Sequence, residues 1–165
     1  MGFYLRNIED CSIEQVEQFC NTFDDRGNIP GFGGIRYYTV EELFEERPWD
    51  SPSDVNKVPY KQFFLCHTDT TELIGCIAFR PYMSAPLIDG FGFNIGYSIS
   101  PKWRGHGYAK IQLELMLEAA KAGGFSSLYI GASRLNIPST KTILACGGEE
   151  MFCVKEDVAY RFNLV

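Results

Sequence analysis

The densest chemical signal in the chain is the run Lys102-Trp103-Arg104-Gly105-His106-Gly107-Tyr108-Ala109. Lys102, Arg104, His106 and Lys110 fall within nine residues, and no Asp or Glu occurs from Gly90 through Leu113. Glycines at 105 and 107 keep side chains off the loop, so successive backbone N–H groups can converge on one acceptor. If a helix follows, its first N–H groups have no intrahelical partner and lie at the positive end of the macrodipole. A pyrophosphate is a suitable acceptor there. Each hydrogen bond to a charged group contributes about 1.5–3 kcal/mol, so three or four outweigh the chain's net charge of −6. On the two glycines alone, a plain turn with solvated cations is an equal alternative. The run lacks the Gly-Lys-Ser/Thr of a phosphate-binding P-loop. It also lacks the three spaced glycines of a dinucleotide-binding turn.

Such a loop needs a strand before it and a helix after it. Residues 93–100 alternate, with Phe93, Ile95, Tyr97 and Ile99 apolar and Asn94, Gly96, Ser98 and Ser100 small or polar. The period of two predicts a strand with one packed and one open face. A helix is predicted from about Gly107 to Ala122, with Ile111, Leu115, Met116 and Ala119 inward and Gly123-Gly124 as its stop. Upstream, residues 3–6 read as a strand. Ser12 and Gln15 form a capping box for a helix with Ile13, Val16, Phe19, Cys20 and Phe23 on its apolar side. A second box, Thr39 with Glu42, opens a short helix before Pro48, and residues 48–60 read as irregular. Residues 63–66 and 73–79 form a predicted hairpin, 127–132 a strand, and Pro138 starts a short helix that ends at Gly147-Gly148. A last strand spans 158–164. The mixture predicts an α/β fold, of the α+β kind with a mixed sheet, and the lack of repeats or linkers predicts one domain over residues 1–165.

The composition, 45 % hydrophobic and 22 % charged, is ordinary for a globular chain of 165 residues. A net acidic protein is a poor general partner for nucleic acid. No apolar run approaches the roughly 20 residues of a membrane span, and Met1–Asn7 lacks the basic start of a signal peptide. The expectation is a cytoplasmic protein without membrane or nucleic-acid partners. Six cysteines would permit disulfides, but no Cys-x-x-Cys pair occurs and the chain has two histidines. Buried free thiols and no metal are therefore expected.

The order Arg104-x-x-Gly107-x-Ala109 resembles the Arg/Gln-x-x-Gly-x-Gly/Ala pyrophosphate motif of the GNAT superfamily of N-acetyltransferases. Asn94-Ile95-Gly96-Tyr97-Ser98-Ile99-Ser100-Pro101 is similar to that superfamily's central strand. Asn136-x-x-Ser139, Ile143 and Gly147-Gly148 are similar to its last helix and turn. The wording lies nearest a branch of predicted acetyltransferases of unassigned substrate. The resemblance implies a mostly antiparallel twisted sheet flanked by helices, with acetyl-CoA as co-substrate. It implies transfer of acetyl to a primary amine of a small molecule or peptide by direct attack through a tetrahedral intermediate. It also admits a homodimer. Carried over residue by residue, the amides of Gly105, His106, Gly107, Tyr108 and Ala109, with Arg104 beside them, would hold the pyrophosphate. Backbone groups of Ser98 and Ile99 would pair with the pantetheine arm, and a strand N–H, with Ser98 as the candidate, would stabilise the oxyanion. Asn136 would contact the pantetheine or serve simply as a helix N-cap.

Two departures concern proton transfer. Many members place a Tyr on the last helix as an acid, where this chain has Ile143, and a Glu near the start of the central strand as a base, where it has Asn94. No tyrosine is then expected to be an indispensable acid. Asp89 is the candidate base, although an Asp-Gly turn explains it better. Phe32, Tyr37, Tyr82 and Phe91 would line an acceptor pocket or merely pack. A non-catalytic acetyl-CoA sensor of the same fold is the alternative function. A nucleotide-binding protein of unrelated fold is a more distant one.

Overall fold

The computed structural model describes residues 2–23, 60–82 and 93–165. In chain order these form β1 (Phe3–Asn7), α1 (Ile13–Asn21), β2 (Lys61–His67), β3 (Leu73–Phe79), β4 (Ile95–Ile99), α2 (Tyr108–Ala122), β5 (Ser127–Ser133), α3 (Ile137–Ala145), β6 (Glu149–Val154) and β7 (Asp157–Asn163). The strands make one sheet in the order β1-β2-β3-β4-β5-β7-β6. Every neighbouring pair among the described residues is antiparallel except β4 with β5. The predicted α/β fold with a mixed, mostly antiparallel sheet is what forms. The second capping box at Thr39 and the irregular stretch from 48 lie outside the described residues, apart from Tyr60.

Alternation along the strands sends side chains into two cores. Phe64, Cys66 and Cys76 meet Val16 and Phe19 of α1 on one face. Ile77, Ile95 and Ile130 meet Leu113 and Met116 of α2 and Ile143 of α3 on the other. The Ser12 capping box forms, with Gln15 N–H donating to Ser12 Oγ at 3.1 Å and Ser12 N–H to Gln15 Oε1 at 2.9 Å. Ile13, expected on the apolar side of α1, is 65 % exposed. The face that packs is Val16, Phe19 and Cys20.

Three further expectations change. The even-numbered face of β4 is not open: Asn94, Ser98 and Ser100 are buried, and Ser100 Oγ donates to Thr22 Oγ1 just beyond α1 at 2.8 Å. Polar residues there mark hydrogen bonding beneath a covering helix rather than solvent. The buried stripe of α2 is Gln112, Leu113, Met116, Leu117 and Ala120, which leaves Ala119 on the outside. Strand β6 was not predicted. All six of its residues are exposed, so no burial period marks them. The cysteines are free thiols as expected; Cys11, Cys20, Cys66 and Cys76 are buried, while Cys146 is half-buried and Cys153 exposed.

Candidate active site

Strand β4 is treated differently by its two neighbours. It pairs with β3 over five residues, from Gly75↔Ile99 to Phe79↔Ile95. With β5 it makes a single pair, Ile95↔Ile130. The point of contact is clasped by Asn94. Its Nδ2 donates to the Arg80 carbonyl at 2.9 Å, its Oδ1 accepts from Tyr129 N–H at 2.8 Å, and its own N–H donates to the Tyr129 carbonyl at 3.0 Å. Beyond Ile95 the two strands part.

The phase of the β3–β4 ladder decides which backbone groups face that opening. Arg80 N–H donates to the Asn94 carbonyl at 2.7 Å and Ser100 N–H to the Ile74 carbonyl at 2.9 Å. Backbone groups of alternate residues point to opposite edges, so Ser98, between them in register with Cys76, spends its N–H and C=O on β3. The residues that turn toward the opening are Tyr97 and Ile99. Ile99 was expected there; Ser98 was expected and is displaced by one residue, to Tyr97.

At the end of β4 the chain makes a turn of 3-10 helix over Pro101–Trp103 and then enters α2. Gly105 and Gly107 take φ of +77° and +80°, a left-handed region that disfavours other residues. A Cβ at either would meet nothing among the described residues within 4 Å. Among the described residues no side chain caps α2, and no acidic residue lies in its first turn. The first bond into the helix is Ile111 N–H to the Gly107 carbonyl at 3.4 Å, so the amides of Tyr108, Ala109 and Lys110 remain for an outside acceptor. His106 folds back beside them. Its Nδ1 lies 2.8 Å from the Arg104 carbonyl and 3.1 Å from that of Trp103, which requires the proton on Nδ1. Its ring stacks on Tyr108 at 5.5 Å.

The cations of the loop are less available than their spacing suggests. Lys102 pairs with Glu72 and Lys110 with Glu114 at 3.6 Å. Arg104 turns inward, with Nε donating to the Ile99 carbonyl at 3.1 Å and the guanidinium over the Phe23 ring at 5.8 Å. Arg104 therefore ties the loop to β4, and it occupies one of the edge acceptors. Helix α2 is anchored from below by Gln112, whose Nε2 donates to the Cys76 carbonyl at 3.0 Å. Gly75 makes room: a Cβ there would lie 2.5 Å from both Gln112 Oε1 and Ile99 Cδ1. An uncapped helix N-terminus beside a half-paired strand is a donor set that suits an extended amide chain ending in a pyrophosphate. Acetyl-CoA fits it.

Comparison with known proteins agrees. The profile of the acetyltransferase (GNAT) family matches residues 34–147. The chain belongs to the GNAT family. No curated protein sequence matches it significantly. The solved structures similar to it include an acetyltransferase (GNAT family) from Bacillus anthracis, 15 % identical, with TM-score 0.69 over 99 % of this chain and 96 % of that one. The GNAT domain of S. lividans PAT is 13 % identical, with TM-score 0.69 over 98 % and 89 %. A spermidine N-acetyltransferase from Vibrio cholerae, solved with CoA and spermine, is 16 % identical, with TM-score 0.63 over 96 % and 92 %. As a GNAT enzyme the protein is an acetyl-CoA-dependent N-acyltransferase.

Within the GNAT fold the two departures acquire physical reasons. Ile143 is fully buried in the core under α3, with 0 % exposure. Asn94 is 4 % exposed and both ends of its amide are engaged; a carboxylate could not donate to the Arg80 carbonyl. Asn136 caps α3, its Oδ1 accepting from Ser139 N–H at 3.4 Å, as the simpler reading had it. Asp89, Phe32, Tyr37 and Phe91 lie outside the described residues; Tyr82 is described and exposed. The sequence reading missed one arrangement. The Tyr97 hydroxyl reaches from β4 to α3 and lies 3.0 Å from Ser139 Oγ. Burial pushes this phenol up to about 12.

Proposed function

We propose that the protein, as one domain over residues 1–165, passes the acetyl group of acetyl-CoA directly to a primary amine of a small molecule or peptide. The parting of β4 from β5 carries this reading. The Tyr97 backbone groups and the Ile99 N–H form a vacant strand edge, and a pantetheine arm, itself a chain of amides, can complete it as an added strand. The amides of Tyr108 to Lys110, with His106 and Gly107 before them, then receive the pyrophosphate. An edge N–H of Tyr97 or Ile99 takes the oxyanion role first assigned to Ser98. Arg104 acts by holding the loop against Ile99 rather than as a phosphate ligand. Burial pushes the Cys146 thiol up to about 11, which makes it a poor nucleophile and favours direct attack over an acyl-enzyme. The free thiols suit the reducing cytoplasm.

Only a neutral amine attacks a thioester. A lysine-like ammonium has a pKa of about 10.4, so at pH 7 the gap is roughly 4.6 kcal/mol. With Asn94 committed to the clasp, the proton passes to a water chain or to Asp89. Activity should climb from pH 6 to 8.5, and Asp89→Asn should flatten the climb; an unchanged profile removes Asp89. The alternative of a non-catalytic acetyl-CoA sensor is favoured by the buried Ile143 and the engaged Asn94. Turnover of acetyl-CoA with a panel of amines separates the two. Acetyl-CoA should also raise Tm, by roughly 2.7 kcal/mol of stability at about 100 times its Kd. ATP should do far less, and equal shifts would contradict the assignment of the β4 edge.

A further inference from the structure

We propose that the acceptor is an amine that also carries a carboxylate or phosphate, and that Arg161 binds this anionic group on the sheet face opposite α2 and α3. The inference rests on the acetyl-transfer reading above and narrows its second substrate. The core beneath α2 and α3 fills one face of the sheet, and the phosphates belong at the N-terminus of α2. An arm threaded between β4 and β5 therefore brings its thioester toward the other face, where the amine has to arrive. Among the described residues, the core on that face is made by α1 with β2 and β3. The β5-β7-β6 half is what remains to receive the acceptor. By alternation, Gly96 on one lip of the opening and Gly131 on the other turn toward this face without a side chain. A Cβ at Gly96 would lie 3.5 Å from Nη1 of Arg80, so a guanidinium already stands over that lip.

Val158, Tyr160 and Phe162 of β7 enter the α2–α3 core, so Arg161 points the other way, in register with Tyr129 of β5 and Glu149 of β6. Rings stand beside it. Phe93 has a φ of +42°, uncommon for a side chain of its size, and this takes it out of the β4 alternation. Its ring lies 6.3 Å from that of Tyr129 and 6.4 Å from that of Phe152. Arg161 Nε is buried and has no hydrogen-bond partner. Among the described residues its side chain makes no ion pair, not even with Glu149 across the ladder. A charged donor buried without a partner is costly, and a carboxylate or phosphate satisfies it through the guanidinium fork. Arg161 lies two strands from β4, about 10 Å across the sheet, so anion and amine must be several bonds apart. The chain's net charge of −6 repels such a substrate at long range. The preference therefore comes from this local contact rather than from steering.

The test uses the full chain with matched amines that differ in the anion alone. The pairs are ε-aminocaproate against its amide and phosphoethanolamine against ethanolamine, with spermidine as a cationic reference. Acetyl-CoA affinity and Tm are measured alongside. Wild type should favour the anionic member of at least one pair by about tenfold to hundredfold in kcat/KM, the range for hydrogen bonds to a charged group. Which pair responds tells carboxylate from phosphate. Arg161→Gln should remove most of that preference by slowing the anionic member alone, with Tm and acetyl-CoA affinity held. Arg161→Lys should keep part of it, and serves if Arg161→Gln folds poorly. Ratios within threefold in both wild-type pairs, or a preference for spermidine, overturn the proposal and leave acetyl transfer standing. So does an anionic preference that survives Arg161→Gln. A loss shared equally by both members of a pair, or by acetyl-CoA affinity, would make Arg161 a structural residue and also overturn it. Wild type that binds acetyl-CoA yet acetylates none of these amines would remove the acetyl-transfer reading, and this inference with it.

Discussion

The two edges of β4 are built from the same five residues, yet one is filled and the other is left largely vacant. Toward β3 the ladder runs the length of the strand. Toward β5 it stops after Ile95↔Ile130. A buried strand edge without partners is costly, because each unpaired N–H or C=O forfeits about 1–3 kcal/mol when desolvated. The fold therefore has to hold the strands apart at one end and together at the other. Asn94 does the second task with an amide that mimics two backbone partners. Gln112, Gly75 and Arg104 do the first, by seating α2 and its entry loop at the far end of β4. A vacant edge that leads to an uncapped helix is best understood as a place kept for a ligand.

The largest expected effect is on the helix end of that place. Gly107→Val should reduce acetyl-CoA affinity by at least a hundredfold, measured by calorimetry. Its Cβ meets no atom of the described residues, so the fold should survive with only the roughly 1–2 kcal/mol cost of a left-handed φ. Normal binding would show that the loop is structural. Next is the closed end. Asn94→Ala strands the Arg80 carbonyl and Tyr129 N–H and should cost about 3 kcal/mol, lowering Tm by about 6–12 °C. A Tm within 2 °C of wild type would mean that the clasp does not join the two halves of the sheet. The smallest effect is expected at Arg104. Since its guanidinium faces Ile99 and Phe23 rather than the loop amides, Arg104→Ala should weaken acetyl-CoA about threefold to tenfold with little change in salt dependence. A clear drop in salt dependence would return Arg104 to the phosphate.

Much of this was legible in the residues. The strand, the glycine loop and the helix were marked by period, by Gly105 and Gly107, and by Gly123-Gly124, because each is a local signal. What escaped was set by neighbours far along the chain. Ser98 and Tyr97 differ in which edge they serve, and only the phase of pairing with β3 decides it. Asn94 reads as a missing base until Arg80 and Tyr129 are beside it. Arg104 and Lys102 look like phosphate ligands by spacing, but their partners Ile99 and Glu72 are fixed by tertiary contacts. Gln112 within an apolar helix face gives no sequence sign that it will anchor α2 to Cys76. β6 carries no period because neither of its faces is buried.

The vacant edge can be tested amide by amide. Hydrogen exchange of the backbone, followed by NMR with and without acetyl-CoA, reads Tyr97, Ser98 and Ile99 separately. Acetyl-CoA should slow exchange at the Tyr97 and Ile99 amides and at Tyr108 to Lys110. Ser98, already bonded to β3, should change little, and ATP should leave Tyr97 and Ile99 unaffected. Protection that appears at Ser98 instead, or at none of the β4 amides when acetyl-CoA is bound, would contradict the assignment of this edge as the seat of the pantetheine arm.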